Sequence, residues 1–118
     1  MNSTNELTSF DFINTFSDNN KDFVLSMIDV FLEQTPNELH NMEEALHNED
    51  WIKLSKSAHT LVTSVKFMGI FTIVDDLKSI ENNCKEGINL DEVPDTFLKV
   101  KSTCISAIEE LEIKKKLF

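Results

Sequence analysis

One histidine lies in a segment that otherwise has the pattern of an amphipathic helix, SAHTLVTSVKFMGI at residues 57–70. At about 100° of rotation per residue, His59 lies roughly 140° from the apolar stripe formed by Leu54 and Leu61, so it is predicted to face solvent. A neutral imidazole offers a ring nitrogen that is a competent nucleophile for electrophilic phosphorus. Solvent-facing histidines without a partner also occur with no function, so the spacing alone leaves both interpretations open.

The helix face that carries His59 also carries two apolar residues. The residues at helical spacing from His59 on this face, where polar side chains are expected, are Ile52, Ser55, Val62, Thr63 and Lys66. Scattered apolar residues are common on protein surfaces. An apolar patch around a candidate nucleophile nevertheless favours a surface on which another protein docks.

The sequence offers little support for a metal site. Glu44 and His47 have the E-x-x-H spacing of di-iron proteins, but the motif occurs once and lies off the apolar stripe of its helix. Cys84 and Cys104 lack the spacing of a zinc site or a disulfide scaffold. We therefore predict no metal and a reducing, cytoplasmic location.

Charge and hydropathy exclude two classes of partner. The chain has 11 Lys and Arg against 21 Asp and Glu, a formal net charge of -10, which repels nucleic acid. No apolar run approaches the length of a membrane span. Two Gly and two Pro in 118 residues favour an all-α protein.

The first half of the chain predicts three helices. A short helix covers residues 10–16, and a second covers 21–34. The second has an apolar stripe of Phe23, Met27, Val30 and Phe31, flanked by Val24, Ile28 and Leu32, and is therefore predicted to be largely buried. Thr35 as N-cap, Pro36 at the first helical position and Glu38 in a capping box then predict the start of a third.

The second half predicts a helical hairpin and a last helix. Asp50 caps a helix that begins at Trp51, Gly69 marks a turn, and Gly87 ends the returning helix. The last helix opens between Asp91 and Pro94. The core positions recur every three or four residues: Leu54, Ala58, Leu61, Val65, Met68, Ile70, Val74, Leu77, Ile80, Cys84, Phe97, Val100, Cys104, Ile108 and Leu111. We predict one monomeric domain over residues 1–118, an antiparallel up-down four-helix bundle with a short extra N-terminal helix.

The run from Phe31 to Ile70 resembles the histidine-containing phosphotransfer (HPt) domain. That family shows F-x-x-x-x-P-x-x-L, then A-L-x-x-x-D, then A-H-x-L and a glycine ten residues after the histidine. The matching residues are Phe31, Pro36, Leu39, Ala45, Leu46, Asp50, Ala58, His59, Leu61 and Gly69. The resemblance implies a four-helix bundle that displays His59 midway along one helix as a phosphoacceptor.

The resemblance also implies roles for the neighbours of His59. The family places Lys three residues after the histidine and a small residue four after it, where this chain has Val62 and Thr63. Lys66, Thr63 and Lys78 are the residues then expected to support the phosphoryl group. Those expected to dock the partner are Ile52, Ser55, Lys56 and Val62.

The function implied by the resemblance is that of a phosphorelay intermediate. His59 would accept a phosphoryl group from a receiver-domain aspartate and pass it to another receiver, with Mg²⁺ on the receiver and no cofactor on this chain. No Gly-rich phosphate loop indicates an autonomous kinase. The alternative is a degenerate HPt domain that binds receivers without phosphotransfer, which Val62 and Thr63 motivate.

Overall fold

The computed structural model describes residues 6–118, and this part of the chain forms helices without strands. The α-helices are α1 (Asp11–Ser17), α2 (Lys21–His47), α3 (Trp51–Phe67), α4 (Val74–Glu86) and α5 (Val93–Lys115), with 3-10 turns at Phe71–Ile73 and Leu90–Glu92. Residues 1–5 of the predicted domain lie outside the described residues. Within 6–118, no helix combines the length and the hydropathy that crossing a membrane requires.

The four long helices close into a bundle. Helices α2 and α4 each pack against both α3 and α5, and α1 packs against the end formed by α2 and α3. Completely buried aliphatic side chains of α3, α4 and α5, among them Leu54, Leu77 and Val100, fill the space between them. The prediction of an all-α antiparallel four-helix bundle with an extra N-terminal helix is confirmed.

The predicted helix break at Thr35 is wrong. Helix α2 runs through Pro36 without interruption, and Thr35 is 1% exposed and lies in the core instead of capping a new helix. Proline lacks an N–H, so the helix loses the hydrogen bond to the carbonyl four residues earlier. Burial of Phe31 and Leu39 on either side holds the helix together across this gap.

The apolar stripe predicted for the first half of α2 is partly wrong. Phe31 is buried as predicted, but Phe23 and Val30 are exposed, and the other buried side chains are Val24 and Ile28, which were predicted to flank the stripe. Because α2 is one continuous helix, the residues in its second half determine which side of the first half faces the core. The same side continues through Thr35, Leu39, Met42 and Ala45.

The other predicted helix limits agree with the structure. The Asp50 side chain accepts a hydrogen bond from the Lys53 backbone N–H at 3.2 Å and caps α3. Gly87 ends α4 in the left-handed conformation, with φ of 69°. Pro94 lies in the first turn of α5. All the core positions predicted for α3, α4 and α5 are buried except Ile108, which is half-buried.

Hydrogen bonds hold the segment before α1 against the C-terminal part of α5. The backbone N–H groups of Leu7 and Thr8 donate to the Glu110 carboxylate at 2.9 and 2.8 Å, and the Thr8 hydroxyl donates to it as well. The Lys114 ammonium donates to the Thr8 carbonyl at 2.9 Å. Partial burial opposes ionisation of Glu110, but these hydrogen bonds and the charge of Lys114 outweigh it and lower the pKa of the carboxyl group.

Replacing Glu110 with glutamine is expected to cost about 2 kcal/mol of unfolding free energy at neutral pH, because an amide cannot accept all three hydrogen bonds. A lowered pKa means that the carboxylate stabilises the fold above the ordinary value of 4.5, and that this stability is lost as pH falls through the lowered value. The loss of stability in acid should therefore be shallower in E110Q, as measured by urea denaturation at several pH values. The control is E109Q, which makes the same charge change at the exposed neighbour; an equal loss there would contradict the assignment.

Candidate functional site

The imidazole of His59 stands out from the middle of α3, with 73% of its side chain exposed. Its Nδ1 atom lies 2.8 Å from Oε2 of Glu81 on α4. An ionised carboxylate only accepts hydrogen bonds, so Nδ1 carries the proton. In the neutral ring, this leaves the lone pair on Nε2, the nitrogen that faces away from Glu81.

The contact between α3 and α4 sets the position of Glu81. One turn before His59, the Ser55 hydroxyl donates to the backbone carbonyl of Glu81 at 2.9 Å. The Glu81 side chain is 25% exposed and is thus more confined than the imidazole that it contacts. The helix pair therefore fixes both the tautomer and the direction of the His59 ring.

The ring borders a shallow, open cavity of about 550 Å³ between α3 and α4. Its wall is apolar at Ile52, which is 71% exposed, and carries two ammonium groups and one carboxylate. The lining residues are Ile52, Ser55, Lys56, His59, Thr60, Glu81 and Lys85. Within residues 6–118, no three His, Cys, Asp or Glu side chains are grouped so that they could hold a metal ion.

The sequence model of the Hpt domain matches residues 26–112, which include every residue of this cavity. The chain belongs to the Hpt domain family. Its members are histidine phosphotransfer proteins of phosphorelays, which act as phosphocarriers rather than kinases and interact with receiver domains.

A solved structure shares the fold of this Hpt domain over its whole length. It is the crystal structure of histidine-containing phosphotransfer protein B (HptB) from Pseudomonas aeruginosa PAO1, with a TM-score of 0.86 and 16% sequence identity. The alignment covers 98% of this chain and 99% of that chain. At this identity the likeness shows the fold alone. No curated protein sequence matches the chain.

Four residues were predicted to form the docking surface of the Hpt domain, and the structure brings three of them together. Ile52, Ser55 and Lys56 line the cavity that contains His59. The expectation that Val62 is exposed is wrong, since only 9% of it is accessible. Val62 follows Ser55 by seven residues and so lies on the side of α3 that packs against α4.

The three residues predicted to support a phosphoryl group lie apart from the cavity. Thr63 and Lys78 are exposed and Lys66 is half-buried, and none of them lines the cavity. Within the described residues, the lysines of α3 and α4 form no ion pair: Lys53, Lys56, Lys66, Lys78 and Lys85. Four lysines of α5 do, namely Lys99, Lys101, Lys114 and Lys115.

Three residues of the site were not predicted: Thr60, Glu81 and Lys85. The sequence predicted that α3 and α4 form a hairpin, but not which residues lie opposite one another. That register depends on the irregular turn between Met68 and Ile73, which has no helical period to follow. The only signal was the position of Glu81 beside the core residue Ile80, at the edge of the buried face of α4.

Proposed function

We propose that this Hpt domain accepts a phosphoryl group on His59 from the aspartyl phosphate of a receiver domain and passes it to the aspartate of another receiver. The observation that supports the proposal most directly is the exposed imidazole whose Nδ1–H is held by Glu81. Nε2 is then the nucleophile. An exposed nitrogen on a rigid helix can enter a partner's active site without rearrangement of the bundle.

In the proposed transfer, the Nε2 lone pair attacks phosphorus as the bond between phosphorus and the aspartate oxygen breaks. The aspartate leaves as a carboxylate with the bonding electron pair, and the positive charge gained by the ring lies against the Glu81 carboxylate. The proton on Nδ1 stays in place. Transfer to the second receiver reverses these steps, with its aspartate as the nucleophile.

The charge pattern supports a receiver as the partner. Although the chain has a net charge of -10, the two lysines that line the cavity with His59, Lys56 and Lys85, form no ion pair within residues 6–118. An acidic rim on the partner complements such a surface and steers the two proteins together. The proposal assigns the Mg²⁺ of the reaction to the receiver, with no cofactor on this chain.

We further propose that the phosphocarrier is monomeric and cytoplasmic. Cys84 and Cys104 are both free and buried, and burial raises the pKa of the Cys84 thiol to about 11 and that of Cys104 to about 12. Neutral thiols of this kind suit a reducing compartment.

The proposed function is tested by incubating the purified protein with receiver domains of its own organism that carry labelled aspartyl phosphate. We expect label on the chain that is lost in acid and kept in alkali, as phosphohistidine requires, and that maps to the peptide containing His59. Binding of each receiver is measured separately by calorimetry. Label on another residue, or none from any receiver, would contradict the proposal.

A docking-only Hpt domain is the competing function, and the sequence at positions 62 and 63 favours it. Val62 supplies no cation where the family has lysine, and Thr63 is larger than the usual small residue. In that case, receivers would bind but transfer no label. Receivers that both bind and label the chain would exclude it.

Replacing Glu81 with glutamine is expected to slow transfer on the order of tenfold, because an amide holds Nδ1 but lacks the charge that stabilises the phosphorylated ring. Glu81→Ala, which removes the acceptor as well, should be slower still. The initial transfer rate and receiver affinity are measured together, and only the rate should change. A loss of affinity with an unchanged rate in the bound complex would assign Glu81 to docking instead.

A further inference from the structure

We infer that Lys56 and Lys85 bind the phosphoryl group while it is attached to His59, in place of the lysine that the HPt pattern places three residues after the histidine. The inference rests on the proposed function and adds the two residues that neutralise the transferred group. It differs from the sequence-based expectation, which assigned the support of the phosphoryl group to Lys66, Thr63 and Lys78.

Position 62 cannot hold the phosphoryl group in this chain. Its side chain is aliphatic, and it is buried on the side of α3 that faces α4. A phosphoryl group carries about −1.5 to −2 charges near neutral pH. On Nε2 it would be bonded to the same imidazole ring whose Nδ1 contacts the Glu81 carboxylate, so the site holds two anionic groups and needs cations from elsewhere.

The cavity beside His59 supplies two such cations, one from each helix. Lys56 precedes His59 by three residues on α3, and Lys85 follows Glu81 by four residues on α4, so each lies on the same helix face as its partner in the site. Both line the cavity with the imidazole. Both are exposed and form no ion pair with any residue of 6–118, so their ammonium groups are available to an anion.

The direction of side chains on antiparallel helices explains why Lys56 and Lys85 are placed to bind the phosphoryl group on His59. Lys66 and Lys78, which were expected to bind it, are not so placed. Helical side chains lean toward the N-terminus of their own helix. The ring of His59 and the side chain of Lys56 therefore lean the same way along α3, and both line the cavity, while Lys85 on the returning helix leans back toward the ring. Lys66 begins about 10 Å further along α3, and Lys78 leans away along α4.

The test uses phosphoramidate, a small phosphoryl donor that needs no receiver, so that docking does not enter the measured rate. We expect K56Q and K85Q each to slow the labelling of His59 about fivefold, and the double variant about twentyfold. K66Q and K78Q make the same charge change outside the cavity and should stay within about twofold of wild type.

The outcomes separate this inference from the proposed function. Wild-type labelling at His59 with unchanged rates in K56Q, K85Q and the double variant would overturn the inference and leave the phosphocarrier intact. Equal slowing in all four single variants would also overturn it, since general surface charge would then explain the effect. A wild-type protein that gains no label from phosphoramidate or from any receiver would overturn the proposed function, and this inference with it.

Discussion

Replacing His59 with glutamine is expected to abolish labelling of the protein by a phospho-receiver, while folding and receiver binding stay close to wild type. The amide nitrogen of glutamine has its lone pair delocalised into the carbonyl group, so it is not a nucleophile for phosphorus. The imidazole is 73% exposed and contributes little to the core. We therefore expect the free energy of unfolding of H59Q to change by less than about 0.5 kcal/mol.

The other two histidines of the chain provide matched controls. His40 and His47 are exposed on α2, at a distance from the cavity between α3 and α4. H40Q and H47Q should accept label at the wild-type rate, as measured by label per mole of protein in the first minutes of reaction. Label retained by H59Q, or lost in either control, would show that the phosphoacceptor is not His59. Receiver binding that survives in H59Q would show that docking and transfer depend on different groups.

Much of the bundle could be predicted because its later helices have a regular period and clear ends. The apolar residues of α3 and α4 recur at three- and four-residue spacing, and Asp50, Gly69 and Gly87 mark where the helices begin and end. These signals are local and agree with one another. The same periodicity correctly placed His59 on the solvent face of α3.

The errors arise where tertiary contacts outweigh local signals. Thr35 and Pro36 have the sequence of a helix start, yet packing carries α2 straight through them. The rotation angle of Val62 lies near the edge of the exposed face, and whether such a residue is covered depends on how closely α4 approaches. Glu81 could not be paired with His59 from sequence, because the pairing depends on the register of two helices across an irregular turn.

Replacing Gly69 with alanine is expected to lower the free energy of unfolding by about 3 kcal/mol. Gly69 follows α3 with φ of 71°, where any side chain is strained. In addition, the Ser9 backbone crosses directly over it, and the Ser9 N–H donates to the Met68 carbonyl at 2.9 Å. A Cβ atom at position 69 would lie 2.6 Å from the Ser9 nitrogen and 2.8 Å from the Ser9 Cβ. These are backbone and rigid side-chain atoms, so the N-terminal segment would have to move.

Gly87 is a matched control, because its φ of 69° imposes the same backbone strain but nothing lies within 4 Å of the Cβ position. Gly87→Ala should therefore cost only about 1 kcal/mol, the left-handed penalty less the entropy that alanine removes from the unfolded chain. Urea denaturation followed by far-UV circular dichroism gives both values, and their difference measures the cost of the contact with Ser9. Equal losses of unfolding free energy in the two variants would mean that the N-terminal segment moves away from the added Cβ atom without measurable cost. A large difference would give a physical reason for the glycine ten residues after His59, because the turn that ends α3 also packs against the N-terminal segment.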